Sequence, residues 1–172
     1  MKFDVIWFDR KFKFVHPPEQ FPAVVERLRG TAARLEEKLK DIAENVLTHK
    51  EGEGWTIKEQ AGHLIVVEKL WTIRTDEYIA GKDSLFAADI QNNLTKSTNF
   101  NNADINDLIT QFRKTRDKLV AKLDVLDKDA PSRTAHHPRL NMAMRMIDHT
   151  LFIAEHDDHH LAKIQDIIAA RK

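Results

Sequence analysis

Phe21, Val25, Leu28, Ala32, Leu35, Leu39, Ile42 and Val46 follow one another at alternating steps of four and three residues. Apolar side chains at that spacing line one face of a helix. A helix with such a seam faces a core, and with the three further helices read below the chain is expected to be all-α. The spacing predicts one long first helix from about Phe21 to Leu47. The seam passes Gly30 without losing register, which puts that glycine inside the helix rather than at its end. Pro22 suits a first-turn position.

Three more helices follow the same logic. Thr56-Ile57-Lys58-Glu59 is a capping-box pattern, and Ile57, Ala61, Leu64, Val67, Leu70 and Trp71 give the second helix a wide apolar arc that fades near Gly81. Asp104 is an N-cap for a third helix, whose inner face carries Ile105, Leu108, Ile109, Phe112, Leu119, Leu123 and Leu126. The fourth is expected to begin near Asn141, after a loop over 128–140, and to run almost to the C-terminus. Between the second and third helices lie the polar residues 82–103. Twenty-two extended residues reach roughly 70 Å, whereas a helix of about 25 residues is some 38 Å long. The connection can therefore cross the bundle, and the third helix need not run antiparallel to the second. Residues 3–15, rich in Phe, Val, Ile and Trp, read as extended, with a small hairpin near Asp9-Arg10 as one option. The whole, 1–172, reads as a single domain: an extended segment over 1–16 and a bundle over 20–171.

Composition narrows the chemistry. Lys+Arg and Asp+Glu both number 27, so there is no basic surplus to neutralise a nucleic-acid backbone. With no cysteine, thiolate ligands, cysteine nucleophiles and disulfides are excluded. No run is apolar enough for a membrane span and no signal-peptide pattern opens the chain, so a cytoplasmic location with no membrane partner is expected. H-E-x-x-H, paired Glu-x-x-His motifs, Gly-rich phosphate loops and G-x-S-x-G are all missing.

Histidine is the odd residue, with nine in the chain. His156 and His160 are four apart and share one helix face, a spacing that can chelate a single ion. His149 falls on the same stripe and fits the core or a supporting role. His159 points away by roughly 60 degrees and is expected at the rim or surface. His63, at one edge of the second helix's apolar arc, offers a third ligand, and catalytic zinc sites take three protein ligands and keep a position open. By itself His63 fits a hydrogen-bonded core residue, and the His156–His160 pair fits either reading. His16, His49, His136 and His137 are expected in solvated loops. Glu68 lies near the centre of the second helix's arc. It could partner an imidazole or act as a general base, but a partly exposed boundary residue is the preferred reading. Asp157 and Asp158 could orient imidazoles, although such residues more often form a solvated face. Trp71, Phe152 and the run Met142-Met144-Met146 fit a pocket lining or plain core.

Taken together, these features resemble the DinB/YfiT-like superfamily of metalloenzymes. The resemblance rests on Trp55-Thr56-Ile57-Lys58-Glu59-Gln60-Ala61-Gly62-His63-Leu64, on His137-Pro138-Arg139-Leu140, and on His156-Asp157-Asp158-His159-His160-Leu161-Ala162-Lys163-Ile164, in that order, and spans roughly residues 20–170. It implies a four-helix bundle with a long crossover between helices 2 and 3. It implies a divalent ion, nickel or zinc, on His63, His156 and His160, with a homodimeric assembly. It also implies a small-molecule substrate, either accepting a low-molecular-weight thiol in an S-transferase reaction or hydrolysed at an amide or ester. A non-catalytic metal-binding stress-response protein and a plain structural bundle are the remaining readings. No side chain is assigned as catalytic beyond Glu68 as a weak candidate.

Overall fold

The computed structural model describes residue 3 and residues 5–171. Its helices are α1 (Phe21–Arg29), α2 (Thr31–Leu39), α3 (Glu44–Leu47), α4 (Ile57–Ile79), α5 (Asn93–Ser97), α6 (Ile105–Asp124) and α7 (Met146–Ala169). Two short strands, β1 (Thr134–His137) and β2 (Met142–Arg145), pair antiparallel ahead of α7. Four rods make the bundle: α1 with α2, then α4, α6 and α7.

Side-chain contacts fix the direction of each rod. Glu68 pairs with Arg116 and Asp76 with Lys122, so α4 and α6 run parallel. Arg27 and Arg34 both reach Asp158, and Lys38 reaches Gln165, so α1–α2 and α7 are also parallel. Trp71 packs on His149 while His63 packs on His160, so α4 and α7 are antiparallel. The parallel α4–α6 pair requires the long crossover that the length of residues 82–103 allows.

That crossover is held at both ends. Near its start, Leu85 donates to His136 O (3.0 Å) and His136 donates to Asp83 O (2.8 Å), which ties it to β1. Near its end, Phe100 lies on Gly62 so closely that a Cβ there would come within 2.3 Å of the ring. Glycine is therefore required one residue before His63. Asn101 accepts from Thr56 Oγ1 (2.7 Å) and from Lys58 Nζ (3.4 Å), fastening the connection to the start of α4.

Local signals behave as the sequence suggests. Thr56 and Glu59 form the capping box, and Asp104 accepts from the backbone N–H groups of Asn106 and Asp107. Gly30 is helical (φ −73°, ψ −12°), and Arg34 N–H donates to Gly30 O, so α1 runs into α2 almost without interruption.

Several expectations need correction. The first helix does not reach Leu47: it stops at Leu39, and Asp41 adopts a left-handed φ of 58°, which Asp tolerates better than most residues. The turn lets α3 fold back so that Leu47 is buried and Glu44 pairs with Lys58 at the start of α4. The fourth helix begins at Met146 rather than Asn141, because Met142–Arg145 alternates as a strand, with Met144 buried and Met142 exposed. In the N-terminal segment Ile6 and Arg10 are extended on either side of a 3-10 turn at Trp7–Asp9, and β1–β2 is the only sheet among the described residues. No helix there is long and apolar enough to cross a membrane.

The buried apolar residues form two clusters, one around Leu28, Trp71, Leu119 and Phe152, the other around Leu35, Leu64, Phe112 and Leu161. Between them, on every rod, a polar residue interrupts the seam: Thr31, Glu68, Arg116 and Asp157, each 2% exposed or less.

Candidate metal centre

The antiparallel contact of α4 with α7 brings three imidazoles to one point. Gln60 and His63 lie on the same face of α4's first turns, and His156 and His160 lie one turn apart on α7. His63 Nε2 is 3.3 Å from His156 Nε2, and His160 Nε2 is 3.2 Å from His156 Nε2. All three side chains are buried, and their inward nitrogens lie within 4.8 Å of one another.

The outward nitrogens explain the orientation. His160 Nδ1 is 2.6 Å from Gln60 Oε1, and His63 Nδ1 is 3.0 Å from Thr95 Oγ1. An Nδ1–H donated outward leaves the Nε2 lone pair facing inward. Burial holds the rings neutral: it pushes His63 down to about 4 and, aided by the neighbouring imidazoles, His156 and His160 well below the ordinary 6.5. The Nε2 lone pairs of His63 and His160 then both face His156 Nε2, while His156 Nδ1 has no partner among the described residues; a cation among the three Nε2 atoms would satisfy all of them at once. The spacing suits one. Metal–nitrogen bonds of about 2.0–2.1 Å at tetrahedral angles set ligand nitrogens about 3.3 Å apart. The donor set also fits: neutral imidazole is a common ligand for zinc and nickel.

The other candidates land elsewhere. Glu68 is not a boundary residue but is 2% exposed, and it is held by Arg116 at 2.5 and 3.1 Å. Asp157 does not orient an imidazole. It takes two hydrogen bonds from the same guanidinium (2.5 and 3.1 Å) and one from Thr31 Oγ1 (2.9 Å). Burial opposes the charge on Arg116, but the two carboxylates hold its pKa above the ordinary value. Asp158 faces outward to Arg27 and Arg34. His159 is buried rather than at the surface, because the N-terminal segment folds over α7 and packs Phe3 and Trp7 against its ring, 5.3 and 5.5 Å between centroids. His137, expected in a solvated loop, is 1% exposed on β1. His136 stays exposed, and His149 is buried core.

Thr95, Gln60 and Arg116 are the functional or organising residues that the sequence reading passes over. Arg116 had a signal: it falls in the seven-residue gap between Phe112 and Leu119, where a helical seam should carry an apolar residue. Thr95 had none, since only the crossover's fold brings it to His63.

A cavity of about 1010 Å³ opens from the triad. Trp7, Trp55, Trp71 and Phe152 wall it beside the histidines, and exposed apolar residues, among them Phe8, Phe86 and Leu94, rim its mouth.

The family model of the DinB superfamily matches residues 27–164, a span that includes all three histidines. Among solved structures, that of YfiT from Bacillus subtilis is similar with a TM-score of 0.82 at 17% sequence identity, covering 94% of this chain and 93% of its own. YfiT is described as a probable metal-dependent hydrolase with an unusual four-helix bundle topology. No curated protein matches the chain.

Proposed function

The chain belongs to the DinB superfamily, and from that premise we propose that it is a divalent-metal-dependent enzyme, with zinc or nickel held by His63, His156 and His160. The observation that carries this is the convergence of inward Nε2 atoms at 3.2 and 3.3 Å, with the outward nitrogens of His63 and His160 engaged by Thr95 and Gln60. A divalent ion bound there supplies Lewis acidity that lowers the pKa of a small thiol or of water.

The chain's own residues supply position and environment. Three neutral imidazoles bring no negative charge, so they leave that acidity undiminished. Gln60 Oε1 takes the Nδ1–H of His160 and Thr95 Oγ1 orients the His63 ring, and such outer partners commonly tune affinity and reactivity. Trp7 and Trp71, 5.0 and 5.5 Å from His156, shield it from bulk water.

We favour transfer of a low-molecular-weight thiol to an electrophilic small molecule. Among the described residues no carboxylate joins the cluster, and the candidate base Glu68 is engaged by Arg116. A thiol, with a pKa near 8.5, ionises at neutral pH with little help, so its attack tolerates the lack of a side-chain base. The cavity, at the upper end of the usual range for one ligand, has room for a thiol beside a second small molecule. A cytoplasmic setting, where small thiols stay reduced, fits this reading. Hydrolysis of an amide or ester is the second reading, favoured by the fold shared with YfiT.

Elemental analysis of untagged protein beside His160→Ala tests the centre. About one ion per chain in the wild type, lost in the variant, supports it; none in either after incubation with zinc or nickel overturns it. Turnover of an electrophile only when a small thiol is present selects transfer, and turnover without thiol selects hydrolysis.

A further inference from the structure

Eight of the arginines are ion-paired to carboxylates. Among the described residues Arg171 lies against His49, while Arg74 and Arg139 have no carboxylate partner and both line the cavity that opens from the histidine triad. Arg74 is 1% exposed. Its Nε donates to Phe86 O (2.9 Å) and its Nη1 faces His137 Nε2 (3.0 Å), but its Nη2 is buried without a partner. Arg139, at the turn between β1 and β2, stacks its guanidinium over Phe8 and Phe152, 5.2 Å from each ring, and its Nη2 is likewise buried without a partner. Glu77 on α4, whose charge acts on Arg74, is itself engaged by Phe86 N–H (2.7 Å).

His137 adds to the excess of donors. Leu140 N–H points at its Nδ1 (3.2 Å) while Arg74 Nη1 faces its Nε2 (3.0 Å). A neutral imidazole has one acceptor nitrogen, so one of these donors also lacks an acceptor. Burial and the two guanidiniums push His137 down to about 3, which keeps it neutral. Burial lowers Arg74 only to about 10, so its charge is kept at neutral pH. Two cations and two unpartnered Nη2 groups thus share one end of the cavity with His137, and guanidiniums of this kind pair with carboxylate or phosphate oxygens.

We infer that this end of the cavity is an anion subsite, in which Arg74 and Arg139 bind a carboxylate or phosphate group. His156 stands one helical turn along α7 from Phe152, about 5–6 Å, and Trp7 touches both the His156 ring and the Arg139 guanidinium. A small organic anion seated on the arginines would place a carbon a few bonds away at the triad. That the anion belongs to the substrate rests on the proposed function; the subsite itself does not.

Calorimetric titration at constant ionic strength tests it, with inorganic phosphate and butyrate as separate probes. Saturable binding of either to the wild type is expected, and the stronger probe identifies the group. Arg139→Gln, at a half-buried position, should weaken binding at least about tenfold, as for one charge-assisted hydrogen bond. Arg74→Met should do the same while retaining the wild-type circular dichroism. His160→Ala should leave the affinity within about twofold. If His160→Ala abolishes anion binding, the anion sits on the triad and the subsite is wrong. No saturable binding of either probe, or equal binding in Arg139→Gln, also overturns it. Anion binding intact in a protein that takes up no metal would uphold the subsite and remove the metal reading alone.

Discussion

Two buried polar clusters lie side by side in this bundle, built from neighbouring residues of the same two helices, and they are chemical opposites. His63 and Glu68 come from α4, and His156 and Asp157 are consecutive on α7. Consecutive helical residues point about 100 degrees apart, so one step along the chain separates two environments. On one side Arg116 draws Glu68, Asp157 and, through Thr31, α2 into a closed network, with Glu68 Oε2 the only member atom lacking a partner. On the other, three imidazoles converge their Nε2 atoms on one point with no charged side chain among them. Burial alone therefore does not mark a functional polar group. A network that meets its own charges ties helices together, whereas a cluster that converges like groups on one point is shaped for something from outside.

The sharpest way to break the comparison is Arg116→Leu. It strands two buried carboxylates, and a loss of about 3–5 kcal/mol is expected in urea unfolding; a loss below 1 kcal/mol would mean that the network organises nothing. His160→Ala acts through the ligand instead. With free zinc at a hundredfold excess over its Kd, the wild type should gain about 2.7 kcal/mol of stability and the variant none, read as a melting temperature that rises with metal in one protein only. Thr95→Val touches only the tilt and tautomer of His63. Metal affinity should fall about 10–100-fold in competition with a chelating dye, with metal-free melting nearly unchanged.

At neutral pH the smallest effect lies with protons, and it grows only on acidification. His137 is held at about 3, by burial and by Arg74 and Arg139, against 6.5 when unfolded, and His149 is also held well below 6.5, mainly by burial. Below pH 6.5 the unfolded chain takes up protons that the folded chain refuses. Stability should therefore be flat above that pH and decline as pH falls from 6.5 toward 3. His137→Gln should flatten the decline by up to one proton in a stability–pH series; an unchanged slope would show that His137 is accessible to protonation in the native state.

What was legible in the sequence is what neighbours along the chain decide. Thr56 with Glu59, and Asp104 with the two amides that follow, cap helices through bonds spanning two or three residues. The stripe of His156 and His160 follows from helical geometry alone. What was hidden depends on partners far away in the chain. Residues 40–43 break the first seam, and beyond them Glu44 pairs with Lys58 of α4 and Leu47 is buried. His159 is covered by Phe3 and Trp7, some 150 residues earlier, and Glu68 meets its partner 48 residues later. The strand at Met142–Arg145 was missed because four residues of alternation are too short to distinguish from the first turn of a helix.

The placement of the aromatic rings carries one more consequence. The chain has three tryptophans, and every one touches the triad: Trp55 lies 4.8 Å from His63, Trp7 5.0 Å and Trp71 5.5 Å from His156. The protein is thus wired with its own optical probe. All of its indole emission originates within one ring's width of the three imidazoles, with no distant indole to dilute the signal. An open-shell ion such as nickel should darken most of that emission on arrival, whereas closed-shell zinc, without redox activity, should mainly shift its colour. The identity of an incoming ion could then be read as light from unlabelled protein.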